Sequence, residues 1–150
     1  MFSVIIPAYN QFDHLQRLLG DLAPAAVDGL IREVLVADNG SDDPTAVFCD
    51  DAGVDLVQGG VVAAAGQAKS NWLLILPSDF RADSDRLKAL KDFSRGPLGA
   101  CRYAGVKPKG LLARPALGLI ISKAELLTSE ETRDLGLIFK RFSKSARKTI

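Results

Sequence analysis

Four short apolar runs alternate with three stretches of helical spacing in the first 79 residues, and this alternation most restricts the folds open to the chain. "FSVIIPAYN" opens it. A β-branched run stopped by Pro7 reads as a strand, and Phe12, Leu15, Leu18, Leu19 and Leu22 then recur at the three-and-four spacing of a helix. "APAAVDGL" reads as a linker, residues 31–37 as a second strand, and Pro44 as the first residue of a short helix entered from an Asp42/Asp43 cap. "VDLVQ" supplies a third strand and residues 63–69 a small-residue helix. "WLLIL" at 72–76 is a fourth strand whose lack of alternation points to burial on both faces. The order βαβαβαβ implies an α/β fold, a parallel sheet flanked by helices. Ligands of such sheets bind outside the carboxyl ends of the strands. The tips Tyr9-Asn10, Asp38-Asn39-Gly40-Ser41 and Ser78-Asp79 follow three different strands and are expected to gather along that edge.

Farther on, "DSDRLKALKDF" reads as a capped amphipathic helix, 96–110 as a loop-rich region around a short strand at 100–104, and "ALGLIIS" as another strand. A final helix is expected from 130 to about 142, with Leu135, Ile138, Phe139 and Phe142 on its apolar face. There is no internal repeat. A length of 150 residues at 47% hydrophobic content suits a single domain, 1–150. No basic leader with an apolar core precedes Phe2, and no apolar run approaches the roughly 18 residues of a membrane span, so a soluble, cytoplasmic protein is expected. Cys49 and Cys101 are too few for a disulfide framework and lack metal-type spacing, which makes them reduced structural thiols.

The formal net charge of +1 conceals a strong asymmetry. Residues 1–79 carry three basic and eleven acidic side chains, a balance of −8, whereas residues 80–150 carry sixteen and seven, a balance of +9. Two readings of the basic half stand: attraction to an anionic partner, such as a phosphorylated substrate or a membrane surface, or a solvated face. The tail "FKRFSKSARK" admits the same pair, a peripheral membrane contact or a solvated helix. Beyond charge, nothing points to nucleic acid. His14 has no triad companions, Trp72 reads as core, and Gly59-Gly60 lacks the context of a phosphate loop.

With "SVIIPAYN", "VLVADNGSDDPT" and "WLLILPSD" in this order and at these intervals, the sequence resembles family 2 glycosyltransferases of the GT-A fold over nearly its whole length, closest to short bacterial members. The resemblance implies a nucleotide-diphospho-sugar transferase-like, mostly parallel sheet, with 1–79 as the nucleotide-binding half. Residues 80–150, containing "LARPALGLIISKAEL" and "TRDLGLIFKRF", correspond to the acceptor side. It also implies an activity: transfer of a sugar from a nucleotide-diphosphate donor to an acceptor, with inversion. The rival is a degenerate, non-catalytic relative acting as a binding or assembly partner in polysaccharide or glycoconjugate synthesis. A nucleotidyltransferase would want a Gly-rich basic loop that "PAYNQFDHL" does not supply.

Carried over residue by residue, the family pattern places Pro7, Tyr9 and Asn10 in the base pocket, with the Tyr9 ring against the nucleobase. Asp38 would accept from a uracil or guanine ring N–H, and Asn39 stands where the family often has a second Asp. Ser41 and Asp43 suit helix capping, which is also the alternative reading of Asp38. In the family's Asp-x-Asp, Pro77 occupies the first acidic position, leaving Ser78 and Asp79 on the diphosphate side; either Asp79 alone holds the Mg²⁺ or Mn²⁺, or the metal site is weakened or absent and Asp79 is a helix N-terminal charge or loop cap. The arginine that usually neutralises donor phosphates is missing from "GGVVAAAGQAKSNW", leaving Arg81, Arg114 or another residue of the basic half to supply it. Arg133-Asp134 replaces the Glu-Asp pair that introduces the last helix. Asp134 is then the base that takes the acceptor proton and Glu131 the reserve, unless both only charge the helix's first turn.

Overall fold

The computed structural model describes residues 1–128, 140 and 148–150. Six strands form one sheet: β1 (Phe2–Ala8), β2 (Ile31–Asp38), β3 (Asp55–Gln58), β4 (Trp72–Ile75), β5 (Cys101–Ala104) and β6 (Leu117–Ser122). Their order across the sheet is β3-β2-β1-β4-β6-β5. The first four strands are parallel; β6 runs antiparallel to β4, and β5 antiparallel to β6. The carboxyl ends of β1 to β5 therefore share one edge.

Helices α1 (Phe12–Val27), α2 (Thr45–Ala52) and α4 (Ser84–Ser94) contribute Leu15, Leu18, Leu22, Cys49 and Leu90 to one core layer, against Phe2, Val4 and Ile6 of β1. The intervening Ile5 faces the other layer, where Val61, Ala64 and Ala65 of α3 (Gly60–Gln67) and Leu126 of α5 (Lys123–Leu127) pack on Leu35, Ile75 and Ile121. Burial on both faces explains the unbroken apolar runs. Each fully buried leucine contributes about 1.5–3 kcal/mol relative to an exposed one. The Asp83 carboxylate caps α4 by accepting from the Arg86 N–H at 2.9 Å.

The structure amends the sequence reading at several points. Most of "APAAVDGL" is not a linker: α1 continues through Pro24 to Val27, because Pro24 lies in the last turns, its missing N–H falls opposite Gly20, and Leu22 and Ala25 are still burying their side chains. The third helix starts at Gly60, ahead of the expected 63, with Gly59 before it at φ 106° and Gly60 itself at φ 81°. A short helix, α5, follows β6 without having been expected, although Ser122 and Glu125 have capping-box spacing and the Ser122 hydroxyl accepts from the Glu125 N–H at 3.2 Å. Lys148–Ile150 runs parallel beside β5, with Arg102 N–H donating to the Lys148 carbonyl and Ile150 N–H to the Arg102 carbonyl, each at 2.9 Å. The expected final helix, with Glu131 and Asp134, lies outside the described residues. Among the described residues no helix is long and apolar enough to cross a membrane.

Gly118 of β6 is required for want of space. A Cβ built there would sit 2.5 Å from Leu76 Cδ2 and 3.0 Å from the Ile75 carbonyl oxygen. Gly118→Ala is expected to cost about 1–3 kcal/mol, lowering the thermal midpoint by several degrees in a melting curve. An unchanged midpoint would show that β4 and β6 are less tightly apposed than this packing requires.

Candidate functional site

At the carboxyl edge the polar tips first satisfy one another. Asp38, the last residue of β2, is 3% exposed and turns inward. Its carboxylate accepts from the Ser41 hydroxyl at 2.5 Å, the Ser41 N–H at 3.1 Å, the Gly40 N–H at 3.2 Å and the Gln58 side-chain amide at 3.0 Å. Burial alone would raise the pKa of this carboxyl, but the bonds from Ser41, Gln58 and Gly40 outweigh it and hold the group below its ordinary value. Gln58 can reach because β3 registers Gln58 opposite Asp38.

Asn10 joins the first tip to the second. It occupies the left-handed region at φ 49°, which asparagine tolerates better than most side chains. From there its N–H donates to the Ser41 hydroxyl at 3.0 Å, and its side-chain oxygen accepts from the Asp42 N–H at 2.9 Å. Asp43 then serves two helices at once, accepting from the Phe12 N–H at 3.0 Å and the Thr45 N–H at 3.1 Å. Hydrogen bonding to Thr45 first, then to Phe12, lowers its pKa. The rings of Phe12 and Phe48 close the same junction edge to face, 5.4 Å between centroids. The third tip is tied in by the Ser78 hydroxyl, which donates to the Gln11 side-chain oxygen.

Between the tips lies an open cleft of about 340 Å³ lined by Pro7, Ala8, Tyr9, Gln11, Asn39, Pro77, Ser78 and Asp79. The structure thus brings together Pro7, Tyr9, Asn39, Ser78 and Asp79 of the sequence-derived set, and sets Asn10 in the loop beside them. Asp38 does not line the cleft; it holds the loop from which Asn39 projects. Gln11, Gln58 and the double role of Asp43 were not read from the sequence. Gln11 stands directly before the helical periodicity, a capping position, but nothing in one sequence pairs it with Ser78.

Among the described residues no cation lines the cleft. Arg81 is engaged elsewhere: its guanidinium meets the Asp21 carboxylate at 2.7 and 3.2 Å, and the same carboxylate accepts from the Ala82 N–H. Lys69 pairs with Glu33 at 3.1 Å, at the amino edge beside Ser3. Both cysteines are buried and free, their thiols pushed up to about 11 by burial, so neither is a nucleophile at neutral pH.

Among the described residues Asp79 is the one carboxylate lining the cleft, Pro77 cannot ligate, and there is no group of three or more His, Cys, Asp or Glu suited to a metal. This donor set does not suit an ion bound by protein alone. It does suit a Mg²⁺ or Mn²⁺ that takes most of its oxygens from a diphosphate and water.

The model of Glycosyl transferase family 2 matches residues 3–101. The chain belongs to this family. Among solved structures, this family member is similar to glucosyl-3-phosphoglycerate synthase from Mycobacterium tuberculosis in complex with UDP, at a TM-score of 0.69 and 18% identity, covering 96% of this chain and 66% of that one. A second structure of that synthase contains Mn²⁺, UDP and glucosyl-3-phosphoglycerate. TarS of S. aureus, residues 1–349, aligns at a TM-score of 0.59 and 22% identity, covering 86% of this chain and 49% of that one. These likenesses show a GT-A fold. The chain therefore spans about two thirds of the synthase and half of the TarS fragment. No curated protein matches it.

The Asp38 network has a pH signature. Its folded-state pKa is lowered, so its contribution is complete above the unfolded carboxylate value of about 3.9 and is lost as pH falls through the folded value. Asp38→Asn is expected to cost about 2–3 kcal/mol in urea unfolding at neutral pH, and the gap from wild type should narrow below pH ~4. A gap independent of pH would contradict an ionised Asp38 at the hub.

Proposed function

We propose that the chain binds the nucleotide-diphosphate part of a sugar donor in this cleft and transfers the sugar, with inversion, to an acceptor. The observation carrying the proposal is that Tyr9, Asn39 and Ser78–Asp79, separated in sequence, line a single cleft at the carboxyl edge of the parallel sheet. Tyr9, 59% exposed, offers its ring to the nucleobase, and the Asn39 amide reads the base edge. Asp38 keeps the Asn39 loop in shape through the Gly40 and Ser41 N–H groups. Asp79 is the carboxylate that would hold a Mg²⁺ or Mn²⁺ bound together with the diphosphate, where the ion would supply charge neutralisation for the leaving group.

In the reaction itself, the acceptor oxygen forms a bond to the anomeric carbon as the bond from that carbon to the diphosphate oxygen breaks. The acceptor's proton passes to a carboxylate, the role we assign to Asp134 with Glu131 in reserve, and the nucleoside diphosphate departs.

A second reading has an observation of its own. With Pro77 in the metal motif and no cation lining the cleft, a protein that binds the nucleotide weakly and serves as an assembly partner would look the same in its described residues. Calorimetry separates the two. UDP with Mn²⁺ should bind, Mn²⁺ alone should not, and UDP alone should bind more weakly. Tyr9→Ala should weaken UDP binding about 5- to 100-fold by loss of stacking, whereas Asp79→Ala should abolish the Mn²⁺ effect. Absence of UDP binding under every condition would remove the donor proposal. For the chemistry, Asp134→Asn should stop sugar transfer while leaving UDP binding intact; transfer at the wild-type rate would move the base elsewhere.

A further inference from the structure

Several cations of the second half are used internally, Arg81 on Asp21, Lys91 on Asp28, and Lys88 and Arg95 on Asp92. The loop joining β5 to β6, residues 105–116, is different. It carries Lys107, Lys109 and Arg114 with no acidic residue, and none of the three forms an ion pair among the described residues. Its Leu111 and Leu112 are 98% and 91% exposed, the barest large apolar side chains described. Two adjacent exposed leucines, flanked in sequence by cations that form no ion pair among the described residues, contribute nothing to the core.

The loop is also fastened at its base. Gly105 N–H donates to the Ala116 carbonyl at 2.9 Å, and Val106 N–H to the Arg81 carbonyl at 2.8 Å. A Cβ at Gly105 would lie 2.9 Å from that Arg81 oxygen, so only glycine allows the approach. Arg81 follows Asp79 by two residues, and Phe80 between them stacks on Tyr103 of β5 at 5.1 Å. The leucine tip thus projects from the carboxyl edge on a base joined to the cleft wall.

We infer that this loop docks the protein on an anionic lipid bilayer, Leu111 and Leu112 entering the boundary between headgroups and acyl chains while Lys107, Lys109 and Arg114 meet lipid phosphates. A nucleic acid would leave the leucines in water, and a plain apolar groove of another protein would leave the cations unused. An anionic bilayer takes both. Because the loop and the cleft share an edge, docking turns the cleft toward the membrane. A lipid-borne hydroxyl would then lie within its reach as acceptor; that step alone rests on the donor reading, and docking does not.

Co-sedimentation of the full chain with phosphatidylcholine vesicles, with and without phosphatidylglycerol, tests this. Wild type should pellet with the anionic vesicles and stay in solution with the neutral ones. Lys107→Glu/Lys109→Glu/Arg114→Glu should weaken the partition by at least about 100-fold, at roughly fivefold for each cation removed. Leu111→Asp/Leu112→Asp should abolish it while keeping the wild-type thermal midpoint and UDP affinity, since both side chains stand outside the core and the cleft. Wild type remaining in solution with anionic vesicles, or either variant pelleting like wild type, would overturn the inference. So would a wild-type dimer in size-exclusion chromatography that the leucine variant converts to monomer, which would assign the tip to a second copy of the chain.

Discussion

A carboxylate removed from water must be surrounded by donors or give up its charge. Around Asp38 that requirement organises the carboxyl edge of the sheet. Its donors come from the turn that follows it, Gly40 and Ser41, and from the last residue of the neighbouring strand, Gln58. Ser41 in turn accepts from Asn10 at the tip of β1. These contacts exist only because Ala8, Asp38 and Gln58 stand in one row across three parallel strands. A slip of one residue would turn Asp38 to the opposite face and leave its donors unpaired.

A second polar clamp closes the amino edge. The Ser3 hydroxyl and the Lys69 N–H both donate to Glu33 at 2.5 Å, and Ser3 accepts from the Ser70 N–H at 3.0 Å. Between the clamps the sheet is aliphatic, and aliphatic burial has no directionality of its own. Register is therefore specified at the two ends, where hydrogen bonds are geometrically demanding. At the carboxyl edge this also divides the labour among adjacent residues. Asp38 and Ser41 are spent on the loop, which leaves Tyr9, Asn39 and Asp79 facing the cleft.

Most of the architecture was legible because strand and helix periods differ. Leu15, Leu18 and Leu22 mark α1, the runs ending at Pro7, Asp38 and Leu76 mark strands, and all three tips fell on one edge as the alternation required. What escaped the reading depends on contacts remote in sequence. Pro24 signals a break unless one knows that Leu22 and Ala25 are still packing against the sheet. The "DNGSDD" cluster announces capping, but which carboxylate caps and which faces the ligand follows from Gln58 and Asn10 in space. Asp38, open in the sequence to a ligand contact or a cap, is the buried hub, while Asn39 takes the exposed position. The antiparallel direction of β6 likewise follows from the chain's return across the sheet, which no local pattern encodes.

The charge asymmetry of the two halves is partly resolved between them. Asp21 holds both the Arg81 guanidinium and the Ala82 N–H, and Asp28 holds Lys91. Exposed pairs of this kind contribute about 0–1 kcal/mol each, so their larger effect is geometric. The Asp21 pair fixes the segment just after Asp79 and keeps the Arg81 guanidinium on α1. A diphosphate bound there as proposed would meet one carboxylate and no cation among the described residues that line the cleft. In the proposed donor complex that charge would be met by an ion bound together with the diphosphate. With Asp79 the one carboxylate among the described lining residues, the affinity of that ion would be tied to the affinity of the diphosphate, and by linkage each would strengthen the other by the same factor. With Pro77 where the family pattern has an acidic residue, the proposed site would bind metal and nucleotide as a unit.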